Sequence, residues 1–514
     1  MKDCAIYKEA KQSVLSVGEN TFLTPTSYHQ KSGEKTVKGN KKRYGMARRV
    51  LGVFILFCVF AFSGCDEAQD GEIVLRVANW EEYMDEGGWN QDDEITFSDG
   101  STLCPENSLV KDFEDWYLET YGKKVRVEYS TFGTNEELYN QITIGDVYDL
   151  VCPSEYMIMK MMKEKMLVPY SENFLDPKKE ENAYIRGVSP YIAQTYDKLS
   201  FDGEKLNKYA AGYMWGTLGI VYNPEEVSEA EASTWKLLLN EKYAKRVTIK
   251  DSVRDAFFAG VSISQYETIM DDGFRQNDNY ADAMYEKLNV TDCETVDSVE
   301  EILSRIKRNV YSFETDSGKA DLVTGKVVAN QQWSGDAVFT MNQAEEDGVL
   351  LCYCAPEEST NLWFDGWVML QKGISEDPSK QQVAEAFVNY ISMPENAVRN
   401  MYYIGYTSVI SGGESDKILD YVNLCYEADP EQAPEEELVD YDISYFFGTP
   451  DAVITTTEDQ TKRQLFAQYP PEDVMKRSVI MACFDAEGNE RINRMWTNVR
   501  CFDIENWWNT FTGK

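Results

Sequence analysis

Aromatic and acidic side chains gather where the strands of this sequence end, and such a set could do one kind of chemistry: hold a cation. Trp80 and Tyr83 follow the run IVLRVANW, Ser154 and Tyr156 follow VYDLVCP, Trp333 closes KVVANQQW, and Trp363 and Asp365 lie in NLWFDGWVMLQ. Asp255 stands one turn into a helical stretch after RVTIK. In open α/β sheets, ligands sit beyond the carboxyl ends of the strands. Trp and Tyr faces attract ammonium groups by about 0.5–2 kcal/mol each, and a carboxylate at each end adds a charge-assisted hydrogen bond. Such a slot suits a slender dication with an aliphatic middle. The rival reading is core packing, since the chain holds 11 Trp, and with 88 Asp and Glu any two carboxylates can be made into a pair. Composition alone leaves both readings open.

Several other chemistries are excluded. The only histidine, His29, lies in a polar N-terminal stretch outside the expected mature chain. That removes Ser-His-Asp and Cys-His catalysis and ordinary His-ligated metal sites. No catalytic residue, metal or cofactor is expected. A GxxxxGK[ST] pattern is absent from the sequence, so the chain carries no nucleotide motor of its own. The net charge is −38 although residues 1–65 are cationic, and a surface so negative repels nucleic acid. Eight cysteines follow Cys65 (104, 152, 293, 352, 354, 425, 483 and 501) with no CxxC pair. They are too scattered for a disulfide framework, so buried free thiols are expected, with Cys352 and Cys354 on one face of a strand.

The elements that must position the candidates alternate. IVLRVANW (73–80), KVRVEYS (124–130) and VYDLVCP (147–153) read as strands separated by helical stretches at 108–121 and 135–143, with another helix at 157–166. GTLGIVY (216–222) reads as a crossover. A second alternation follows, with strands at 246–250, 326–333, 348–355 and 361–371 and helices at 252–261, 277–288, 297–308 and 380–392. Strands alternating with helices imply mainly parallel, doubly wound sheets, here in two units. Acidic, turn-rich stretches at 84–107, 178–208 and 426–465 read as surface insertions.

The N-terminus supplies an address. Lys41, Lys42, Arg43, Arg48 and Arg49 precede an apolar run from Val50 to Phe62, followed by Ser63-Gly64-Cys65. A positive segment, an apolar segment and small residues make a signal peptide, too short to span a bilayer. The small-small-Cys ending resembles the lipobox of bacterial lipoproteins, which implies lipidation of Cys65 and an extracytoplasmic, membrane-tethered protein. An uncleaved anchor helix and a plain secretory signal are the other readings. Met46 is the expected start, residues 46–65 the signal, and 1–45 a non-native or disordered extension.

The order of the motifs adds to this. NWEEY (79–83), YSTFGTNEELY (129–139), YDLVCPSEYMIMKM (148–161), YMWGTLGIVYN (213–223), KDSVRDAF (250–257), QWSGDA (332–337), NLWFDGWVML (361–370), IGYTS (404–408) and YPPEDVMKR (469–477) occur in sequence. Taken together they resemble the bacterial polyamine-binding proteins, the spermidine/putrescine receptors of ABC transporters, over nearly all of 72–514. The resemblance implies a ligand slot lined by Trp80, Tyr83, Ser154, Tyr156, Asp255, Trp333, Trp363, Asp365 and Tyr406, with Thr315 a weaker match. Trp80, Tyr83 and Trp363 would pack the methylene chain, Asp365 would take one ammonium and Asp255 the other. Two departures stand out: Ser252 occupies a position where the best-known members have an aspartate, and no contact amide is evident near Met481. Either the site prefers putrescine, or Asp336 substitutes for the lost charge; Asp336 could equally be only a helix N-terminal residue.

The resulting expectation is an α/β, two-lobed clamshell of the periplasmic-binding-protein kind, with ligand in the interlobe cleft. Lobe one would comprise 72–215 and 366–412, lobe two 220–362 and 415–514. It would bind a polyamine by hinge closure as a monomer and deliver it to an ABC permease and its ATPase subunits, with no reaction catalysed. The rivals are the same fold binding another solute, and a lipid-anchored, carboxylate-dependent hydrolase.

Overall fold

In a computed structural model of the chain, residues 71–201, 203–429 and 438–501 are described. The expected extension, the signal peptide and Cys65 lie outside the described residues. Among the described residues, no helix is long and apolar enough to cross a membrane.

Twelve strands form the main sheet. In chain order they are β1 (Ile73–Trp80), β2 (Val125–Phe132), β3 (Leu150–Val151), β4 (Leu167–Val168), β5 (Ala210–Tyr222), β6 (Val247–Lys250), β7 (Ser312–Glu314), β8 (Ala329–Trp333), β9 (Cys352–Cys354), β10 (Thr360–Leu370), β11 (Thr407–Ser408) and β12 (Ser478–Val479). The spatial order is β7-β6-β8-β5-β10-β3-β1-β2, with β9 and β11 on β5, and β4 and β12 on β10. β1 is parallel to β2 and β3, and β6 is parallel to β7 and β8. Between these units, β5 and β10 run antiparallel to each other and to their outer neighbours β8 and β3. The sheet is therefore parallel within each unit and antiparallel at the seam, where the chain crosses in opposite directions.

β5 is buried along its whole length. Ala210 to Trp215 pack in a first hydrophobic core with β1, β2 and β3. Leu218, Ile220 and Tyr222 pack in a second, with β6 and the helices Val253–Ser264 and Cys293–Asn309. The helices follow from local sequence. Leu109–Tyr121 starts where the Ser108 side chain accepts the Lys111 N–H, and ends at Gly122, whose φ of 64° suits glycine. Leu109, Phe113 and Tyr117 are buried on its inner face at a four-residue spacing.

Three expectations differ from the structure. The segment 415–514 does not serve one lobe only. Ile418, Tyr421 and Val422 of the helix Lys417–Tyr426, together with Tyr441, Phe446, Ile454 and Tyr469, pack into the first core. Val479, Met481 and the helix Ala486–Cys501 serve the second. Apolar spacing shows that a helix buries a face, but its choice of lobe rests on distant partners, such as Ser98, whose hydroxyl donates to Asp420 at 2.8 Å. The insertions 84–107 and 426–465 also send anchors inward, including Phe97 and Phe446. No disulfide joins the eight described cysteines, but only Cys152 is fully buried, and Cys293 and Cys501 are exposed.

Candidate functional site

A β-bulge places Asp365. The pairing of β10 with β5 shifts register between Phe364 and Gly366, leaving Asp365 out of that ladder. Asp365 bridges Ser154 instead, and the Gly366 N–H donates to the Pro153 carbonyl at 3.1 Å. Bulges of this kind re-aim a side chain. Ser154 Oγ donates to Asp365 Oδ1 at 2.7 Å, and the Tyr83 hydroxyl donates to Oδ2 at 2.9 Å. Ser154 precedes the helix Glu155–Lys163, yet its hydroxyl does not cap that helix. Asn135 fixes it from β2's following helix, donating its amide N–H to Ser154 Oγ at 3.1 Å and accepting the Ser154 N–H at 3.0 Å. Among the described residues no cationic side chain pairs with Asp365. Burial pushes its carboxyl up to about 6, with the Ser154 and Tyr83 hydrogen bonds pulling the other way.

Rings stand around this carboxylate. Tyr406 lies with its centroid 5.4 Å from that of Tyr83 and 5.6 Å from that of Trp363, both edge-on. Gly216 permits this packing, because a Cβ there would come within 2.7 Å of the Trp363 ring. Trp80 leans on Phe132 at 4.8 Å. The indole N–H groups of Trp80 and Trp363 are buried without a hydrogen-bond partner among the described residues.

A second cluster forms at the ends of β6 and β8. Asp255 lies in the first turn of Val253–Ser264, where its backbone N–H donates to Ser252 Oγ at 3.4 Å. Ser252, the first departure, is thus a helix cap here. The Trp333 indole N–H donates to Asp255 Oδ1 at 3.4 Å, and burial raises the Asp255 pKa. Asp336 opens the helix Ser334–Glu346 and is ionically held: Lys250 Nζ lies 3.2 Å and Lys319 Nζ 2.9 Å from its oxygens. The Tyr406 hydroxyl also donates to it, at 3.0 Å, and so links the two clusters. Burial pushes Asp336 up, but the two ammoniums outweigh burial and its pKa is lowered. Asp336 is therefore not a free substitute for the missing charge, because two lysines already neutralise it.

Lys250 was not singled out from the sequence. It ends β6 with only 1% exposure, donates from Nζ to the Thr315 carbonyl at 2.6 Å, and sits 4.5 Å from the Trp333 ring centre. Thr315 thus enters through its backbone carbonyl. Tyr156 stands apart from both clusters: its hydroxyl donates to Glu136 at 3.0 Å, and the Arg254 guanidinium lies 3.9 Å from its ring centre. Glu155 was also missed. It is buried, accepts the Phe364 N–H at 3.3 Å, and burial pushes it up to about 8 against the pull of Arg254. The available signal for Lys250 was a lysine closing the otherwise apolar strand VTIK. Glu155 carried none, since its burial depends on β10.

A sheet of two parallel units joined by an antiparallel seam defines a class of fold, and comparison with known proteins agrees. Residues 108–423 match the family model for the bacterial extracellular solute-binding proteins, and the chain belongs to that family. A spermidine/putrescine-binding periplasmic protein of Salmonella typhimurium is 25% identical over 293 residues, covering 56% of this chain and 72% of the relative. The putrescine-binding periplasmic protein SpuD of Pseudomonas aeruginosa is 24% identical over 348 residues, covering 65% and 77%. Among solved structures, the spermidine/putrescine ABC transporter substrate-binding protein PotD of Streptococcus pneumoniae aligns with a TM-score of 0.54 at 24% identity, covering 83% of this chain and 98% of that one. A lipoprotein of Treponema pallidum, TpPotD, aligns with the same TM-score at 16% identity, covering 83% and 99%. The fold is the α/β periplasmic-binding-protein fold. The chain is an extracytoplasmic solute-binding protein, a binder and not an enzyme.

Proposed function

We propose that the solute is a polyamine, held between Asp365 at one end and Asp255 at the other. The observation that carries this reading is Asp365: a buried carboxylate, set by a bulge among Tyr83, Trp363 and Tyr406, oriented by two hydroxyls and paired with no cation among the described residues. A buried carboxylate in that state is stabilised by an incoming ammonium. Trp80, Tyr83, Trp333, Trp363 and Tyr406 would flank the methylenes, and Tyr156, held by Glu136 and Arg254, would lie outside this set. Micromolar affinity requires about −8 kcal/mol. Two charge-assisted hydrogen bonds at about 1.5–3 kcal/mol each and several ring contacts can supply this after the ordering cost. The similarity to putrescine- and spermidine-binding relatives supports the same solute class.

The lobe assignment, 72–215 with 366–412 against 220–362 with 415–514, is kept as the frame of a hinge closure, amended for the residues of 417–469 that pack into the first core. We further propose that Cys65 is lipidated and tethers the receptor beside its permease; metabolic fatty-acid labelling should be lost in Cys65→Ser. Calorimetric titration of the purified protein with putrescine, spermidine and spermine tests the substrate. One-to-one binding of at least one is expected. Absence of binding by all three at millimolar concentration overturns the assignment.

A further inference from the structure

The site holds three buried aspartates but leaves only two for a ligand, and a lysine decides which. Asp336 is flanked by Lys250 and Lys319 at 3.2 and 2.9 Å, whereas Asp365 has no protein cation acting on it among the described residues, and Asp255 feels Lys250 and Arg254 only from beyond ion-pair distance. Lys250 is also positioned as a ligand amine would be. Its ammonium lies 4.5 Å from the centre of the Trp333 ring, hydrogen-bonded to the Thr315 carbonyl and ion-paired to Asp336. A ring face, a carbonyl and a carboxylate are the same recognition set that a protonated amine of a solute would use.

We infer that Lys250, resting on the polyamine reading above, is a built-in ammonium that occupies the third cation position of the slot and makes the receptor selective for short α,ω-diamines over triamines. A diamine matches the two unpaired carboxylates. A triamine brings a third ammonium into a closed site whose remaining carboxylate is already neutralised, next to two fixed positive charges. Like charges brought together away from water are unfavourable, and no free acceptor of opposite charge offsets them. Glu155 does not serve, because burial pushes it up to about 8 and it is turned to the Phe364 N–H. Lysine at this position therefore sets an upper limit on ligand charge and length.

The test is titration calorimetry with putrescine and spermidine on the wild-type chain, on Lys250→Met and on Lys319→Met, with thermal melts to confirm folding. Lys250→Met keeps the stem and removes the charge; Lys319→Met is the more tolerant change, since that side chain is 25% exposed. Wild-type protein should favour putrescine over spermidine by about tenfold or more, and each lysine variant should move that ratio towards spermidine by about tenfold. Equal binding of both amines by the wild type, or a ratio unmoved in a folded lysine variant, overturns the inference while leaving the polyamine reading intact. Failure of every form to bind either amine overturns the polyamine reading and this inference with it.

Discussion

Asp365 and Asp336 are the same side chain in opposite settings within one site. Each is buried and each accepts a tyrosine hydroxyl, from Tyr83 in one case and Tyr406 in the other. The difference is the remaining company. Asp365 has a serine hydroxyl, and burial pushes its carboxyl up to about 6; Asp336 has two lysines, which outweigh burial and hold it below the ordinary range. One aspartate has no cationic partner among the described residues, and the other is neutralised by the protein's own lysines. Burial and residue type do not distinguish the two; the ionic partner does.

Paired substitutions sharpen this contrast most. Asp336→Asn leaves Lys250 buried without its carboxylate, and breaking such a pair costs about 3–5 kcal/mol. Asp365→Asn removes a buried charge that has no ionic partner, so stability should hold or rise while polyamine affinity falls by about 100-fold, within the range for truncating one side of a buried charged contact. Urea melts and calorimetry on both variants check this. A destabilised Asp365→Asn that still binds would break the comparison.

Next in size is the effect of pH. In the proposed site an ammonium pairs with ionised Asp365, and the free carboxyl takes up a proton as pH falls through about 6. Affinity should be full above about pH 7 and about tenfold weaker at pH 5, the amines staying charged throughout. For stability of the ligand-free fold the sign reverses. The raised pKa of Asp365 gives a contribution that is present below its unfolded value near 4 and lost as pH rises through about 6. Asp336 behaves conversely, its contribution present above about 4 and lost as pH falls through its lowered folded value. The smallest effect is expected from Ser154→Ala, which removes the 2.7 Å donor to Asp365. Affinity should fall by only about threefold, a typical hydrogen-bond loss, and the pH midpoint should move upward. An unchanged midpoint would show that Ser154 does not tune this carboxyl.

Much of the frame was legible. Alternating strands and helices marked two α/β units, and NLWFDGWVML put Trp363 and Asp365 on the strand that carries them. What could not be read was pairing across the chain. The bulge at Asp365 depends on how β10 meets β5, and the role of Asp336 depends on Lys250, which lies 86 positions earlier. For Asp336 in QWSGDA both readings, spare charge and helix N-terminal residue, stand open, because a motif shows a residue without its neutralising neighbours. The helix Lys417–Tyr426 buries an apolar face, but no spacing rule tells which lobe receives it. Tyr156 occupied its expected place in the chain, yet its ring is covered by Arg254, a contact invisible to either segment alone.

The composition of the first core also sets a schedule. Its buried residues run from Leu75 to Ile480, so its last pieces are among the final residues of the chain to become available. The amino-terminal half cannot complete its interior while the rest is still being made or moved. Long-range assembly of this kind is slow because distant segments must meet before burial rewards them. For a polypeptide that is exported through a narrow channel, such delay is an advantage, because a chain that has not completed its core is easier to thread.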